Sequence, residues 1–96
     1  DVGLALALIH HLCIGNNVPL NMVAEFMSQH CRHLIIEFVP KEDSQVQRLL
    51  RTREDIFVEY TQENFEDEFA CRFELVQKRQ VPDSKRTLYL FRPKNP

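Results

Sequence analysis

The sequence predicts an α/β domain in which two parallel strands and a terminal hairpin share one mixed sheet. Three observations carry this. An unbroken apolar run, Val2-Gly3-Leu4-Ala5-Leu6-Ala7-Leu8-Ile9, opens the chain. A second one, Leu34-Ile35-Ile36-Glu37-Phe38-Val39, follows after a segment with helical spacing. Two shorter runs then close the chain around the polar turn Pro82-Asp83-Ser84-Lys85. Strands covered on both faces by crossover helices read as continuous apolar runs. Short strands flanking a polar turn read as an antiparallel hairpin.

The opening run is too short to cross a membrane. It has neither a helical stripe nor strict alternation, so periodicity alone separates no strand from a buried helix. Its shortness, and the helix–strand–helix pattern that follows, favour a strand over residues 2–9. Gly15-Asn16-Asn17 then marks a turn, and Val18-Pro19 sets up a helix with Pro in its first turn. Leu20, Val23, Ala24, Met27 and Cys31 recur at three- and four-residue spacing as its buried face, opposite Glu25, Ser28 and Gln29. The helix is expected to end near His30–Arg32, where positive charge suits a helix C-terminus.

The second strand, residues 34–39, is stopped by Pro40, and its Glu37 is anomalous, because a carboxylate in an apolar strand is rarely buried unpaired. Asp43 or Ser44 is placed to cap a helix through Val46, Leu49 and Leu50. Thr61 is placed to cap another, with Asn64 where a capping box carries Glu or Gln. Phe65, Phe69 and Phe73 repeat every four residues and are expected to anchor that helix on the sheet. Leu75, Val76 and Val81 belong to the first hairpin strand and Arg86-Thr87-Leu88-Tyr89-Leu90-Phe91 to the second, with Pro93–Pro96 as a loose tail.

Ninety-six residues make one domain with a modest core. The net charge of −2 gives no electrostatic basis for nucleic-acid binding, and Arg48, Arg51 and Arg53 alternate with Glu54 and Asp55 as a solvated mixed face. Only two glycines occur, and no phosphate-cradling glycine motif is present. Three cysteines, Cys13, Cys31 and Cys71, include no C-x-x-C pair, which argues for a reduced, cytoplasmic setting. The opening run lacks the flanks of a signal peptide. A chain beginning inside an apolar strand without Met suggests part of something longer.

Asp1 before an apolar strand, Ile9-His10-His11-Leu12 at its end, and the order helix, strand, helices, hairpin together resemble the C-terminal half of a class I S-adenosylmethionine-dependent methyltransferase. The resemblance covers the whole chain in element order, and residues 1–12 and 34–43 carry most of it. It implies a partial Rossmann-like three-layer sandwich. In the family the fourth strand lies beside the first in mid-sheet, the fifth follows a helix, and strands six and seven form a hairpin whose last member is antiparallel to the rest. The glycine-rich loop and acidic residue that hold the cofactor there have no counterpart here. The usual Leu-Lys-Pro-Gly-Gly turn is replaced by Ser28-Gln29-His30-Cys31-Arg32-His33. The resemblance therefore implies S-adenosylmethionine in a full-length parent, none bound by this segment, and the missing N-terminal half as its partner.

Ligands of open α/β sheets bind beyond the carboxyl ends of the strands. His10 and His11 are thus candidate catalytic residues, one acting as a base or hydrogen-bond partner of the substrate, with a strand-end cap as the alternative. Glu37 either reaches the same crevice, facing substrate, or closes the sheet end through an ion pair. Cys13 reads as a small buried hydrophobe and not as a nucleophile. No metal is expected, since His30 and His33 belong at the opposite end from His10 and His11. With its family neighbour absent, Val2–Ile9 is expected to be an apolar edge able to self-associate. The competing reading is a non-catalytic α/β binding module, loosely thioredoxin-like in element order but without redox cysteines.

Overall fold

The computed structural model describes residues 2–52 and 54–94. Asp1, Arg53 and the last two residues of the expected tail lie outside them. The elements run β1 (Val2–Ala5), a π-helical turn (His11–Gly15), α1 (Leu20–His30), β2 (His33–Phe38), α2 (Ser44–Leu50), α3 (Gln62–Ala70), β3 (Phe73–Gln80) and β4 (Thr87–Pro93). They form an α/β fold around one four-stranded mixed sheet in the order β1-β2-β4-β3. β1 and β2 are parallel, and β4 runs antiparallel to both β2 and β3.

Alternation along the strands decides which face is buried. Leu34, Ile36 and Phe38 of β2 stand opposite Phe91, Tyr89 and Thr87 of β4, and all six are buried. Ala5 of β1, opposite Ile36, joins them. Leu20, Val23, Ala24 and Met27 of α1 and Phe65 and Phe69 of α3 complete the same core. The other face presents Leu4, which is 66% exposed, and the half-buried Ile35, Leu88 and Leu90. The described residues therefore make two layers, with no helix core on the second face, in place of the expected three.

Several sequence boundaries are corrected, among them that of Pro93, expected in the loose tail, which instead closes β4 opposite Phe73. The opening strand is residues 2–5 and not 2–9. Ala7 adopts φ 52°, a left-handed conformation that breaks the extended run, and the chain turns helical at Ile9. Phe73 is the first residue of β3, not the last helical anchor, because α3 ends at Ala70. It still stacks on Phe69, with centroids 6.1 Å apart. The caps stand as read. The Asp43 side chain accepts from Gln45 N–H, and the Thr61 hydroxyl accepts from Asn64 N–H. A bulge at Val76 interrupts the β3–β4 register, which leaves both Leu75 and Val76 exposed.

β1 pairs only with β2 among the described residues, so it is a sheet edge. Its second residue also shows how tightly that edge meets α1. A methyl on Gly3 would lie 2.3 Å from Cys31 Sγ, 3.1 Å from its Cβ and 3.2 Å from Leu34 Cδ1. Gly3→Ala is thus expected to destabilise the fold by about 1–3 kcal/mol through overpacking, read as a melting temperature several degrees lower. An unchanged melting temperature would show that the C-terminal end of α1 yields freely.

Candidate functional site

The polar residues of interest gather where β1 and β2 end. After β1 the chain bends through Leu6 and Ala7, and Leu8 C=O accepts from the N–H groups of His11 and Leu12. The next turn widens: Asn16 N–H donates to His11 C=O at 2.9 Å, a π-type spacing that recurs at functional sites. This geometry divides the two histidines. His10 is 1% exposed, whereas His11 lies at the surface with its ring centroid 4.2 Å from that of His10.

Both ring nitrogens of His10 are without a hydrogen-bond partner among the described residues. Burial pushes its pKa down to about 4, with His11 and Arg86 acting in the same direction and Asp43 opposing them. His10 is therefore a neutral imidazole at pH 7. Cys13, two residues beyond His11, is buried, and burial pushes its thiol up to about 12. A buried thiol held in its protonated form fits the role of a small hydrophobe.

Glu37 is tied to the sheet end. Its Oε1 accepts from Ala7 N–H at 2.9 Å and from Arg86 Nη1 at 3.2 Å. Arg86 also donates Nε to Asp43 Oδ2 at 2.8 Å and Nη2 to Asp43 Oδ1 at 3.1 Å. One planar guanidinium thus serves two carboxylates, with a two-pronged fork on one of them. The Arg86 contact holds the Asp43 carboxyl below the usual carboxylate range, helped by Gln45 N–H, although burial opposes both. Arg86 itself is held protonated above its ordinary value, chiefly by Asp43.

The structure therefore gathers His10, His11, Glu37 and Asp43 at one end of the sheet. His33 sits at the start of β2, at the other end of that strand from Glu37. Among the described residues no group of three His, Cys, Asp or Glu side chains converges to hold a metal ion. Arg86 is the residue that the sequence reading missed. Its signal was Glu37, since a half-buried carboxylate requires a cation from some distant part of the chain.

Beside this cluster, a cavity of about 160 Å³ is lined by Cys13, Val18, Leu20, Phe57 and Tyr60 among others. Tyr60 stacks on Phe38 and donates its hydroxyl to Val39 C=O, so its polar atom is already used. No described helix is long and apolar enough to cross a membrane.

No family model matches the chain, and no solved structure matches it. Among curated proteins, it is 50% identical over 91 residues to Nodulation protein NoeA of Rhizobium meliloti (strain 1021). That match covers 95% of this chain and 19% of the relative, so the chain spans about a fifth of the length of the protein it matches.

Proposed function

We propose that this chain is the C-terminal half of a class I S-adenosylmethionine-dependent methyltransferase domain, in a longer protein that transfers a methyl group to an acceptor. The observation that carries the reading is strand polarity. β4, last in sequence, runs against β1, β2 and β3, which are all parallel to one another. That is the arrangement the resemblance implies for the terminal hairpin. Read as the family's fourth strand, β1 would pair with the absent first strand along the side that has no partner among the described residues. The match to a stretch of a much longer relative supports a longer parent for this chain too.

The residues present do not fit the cofactor by themselves. Gly3 lies inside β1 against Cys31, and Gly15 closes the π-helical turn, so neither belongs to a glycine-rich phosphate-type turn. Cofactor binding falls to the remainder of the parent, and S-adenosylmethionine binding by these residues alone is not expected. What this chain contributes is His11. Exposed beyond the end of β1, its imidazole is placed to accept a proton or hydrogen bond from the acceptor group. His10 packs beneath it, and Glu37 is committed to Ala7 and Arg86.

Calorimetric titration of the full-length protein with S-adenosylmethionine tests the reading, and binding is expected. His11→Ala is then expected to lower turnover roughly ten- to a thousand-fold at an unchanged melting temperature. Absence of cofactor binding would leave the non-catalytic module as the better description. Unchanged turnover would remove His11 from the site.

A further inference from the structure

We infer that Arg86 is a positioning residue for the His10–His11 segment, acting through Glu37 on the left-handed turn at Ala7. The chain of contacts is continuous. Arg86, just before β4, grips Asp43 at the N-cap of α2 and reaches Glu37 near the end of β2. Glu37 uses the same oxygen to accept Ala7 N–H, 30 residues earlier. Ala7 is one of three non-glycine residues with positive φ among the described residues, and such a conformation persists only where its surroundings enforce it. Three residues later the chain delivers His10 into the core and His11 to the surface.

The three charged groups also explain why the carboxylate stays where it is. Side chains of Arg86, Glu37 and Asp43 are 21%, 12% and 13% exposed. Removing the guanidinium would leave two half-buried carboxylates facing one another without a counter-ion, so Glu37 would turn toward water and release Ala7 N–H. The catalytic consequence rests on the methyl-transfer reading above, but the positional one does not.

The test is carbethoxylation of the full-length protein with diethyl pyrocarbonate, mapped by peptide mass spectrometry. In the unmodified sequence His11 is expected to react and His10 to be protected. Arg86→Met, which keeps the stem and removes the donors, is expected to raise His10 labelling about tenfold by local opening. Glu37→Ala should do the same, and the double variant should show no more than either single change, because both cut one path. Gly3→Ala serves as a control that loosens the other end of β1 and should leave His10 protected. Continued protection of His10 in Arg86→Met, or equal labelling in Gly3→Ala, would overturn the inference. If the protein also turns over substrate, Arg86→Met should lower kcat with KM for S-adenosylmethionine unchanged, and a fall in proportion to the folded fraction alone would count against it. A protein that binds no S-adenosylmethionine would refute methyl transfer, while the labelling pattern would still decide the role of Arg86.

Discussion

Phe65→Ala is expected to cost about 3–5 kcal/mol, a large part of the stability of a domain of this size. Phe65 is fully buried on α3 and is the ring that the others share. Its centroid lies 4.5 Å from Phe69, 4.9 Å from Tyr89, 5.1 Å from Phe38 and 6.4 Å from Phe91. Those partners come from α3, β2 and β4, so one truncation opens a cavity where helix and sheet layers meet. Close packing allows little collapse into such a space. Urea denaturation would read the loss as a lower midpoint at constant slope. A loss under about 1 kcal/mol would mean that the neighbouring rings close over the gap.

The second large effect is on acid stability, and it follows from His10. In the unfolded chain the imidazole takes up a proton near its ordinary 6.5, whereas in the fold burial delays this to about 4. Between those values the unfolded state binds more protons, so stability falls as pH drops from 6.5 to 4 and is constant, for this group, above and below. The full difference amounts to about 3 kcal/mol. His11 and Arg86 reinforce the effect and Asp43 reduces it. The depressed Asp43 contributes in a separate window, since its stabilisation is lost only as pH falls below the ordinary carboxylate value and through its own lowered one. Denaturation midpoints at pH 7, 5.5 and 4.5 would show the decline, and His10→Phe should abolish most of it above pH 4.5. An equal decline in that variant would assign the acid sensitivity elsewhere.

Much of the fold was legible because its elements are marked by local chemistry. Asp43 and Thr61 announce their helices through side-chain oxygens that reach N–H groups two and three residues on. Pro40 ends the second apolar run, and β2 closes two residues before it. The opening run has no such punctuation. Its break falls at Ala7, a residue type that gives no sign of positive φ, so residues 2–9 read as one strand although only 2–5 pair. The second sheet face is a separate matter: a continuous apolar run implies cover on both sides, and the described residues supply it on one.

At the site, the histidine pair and the odd Glu37 could be found by inspection, but not their separation into a buried and an exposed ring. That depends on a π-type turn, which local propensity does not encode. Arg86 was illegible for a plainer reason. It stands 49 residues from Glu37 and 43 from Asp43, and as the first letter of Arg86-Thr87-Leu88-Tyr89 it looks like an ordinary strand flank.

β4 has one more consequence, for how the chain is made. It is the last of the described strands in sequence, yet it lies between β2 and β3 in the sheet. On the ribosome, β1, β2, the helices and β3 all emerge while the slot between β2 and β3 is empty. β2 then has its parallel neighbour but no antiparallel one, and Glu37 and Asp43 wait without their cation. The sheet and the histidine-bearing turn can be completed only after residues 86–93 have left the exit tunnel. Synthesis therefore delivers this keystone after every described element that it locks, and a nascent chain stalled before Arg86 is expected to display this end of the sheet unlocked.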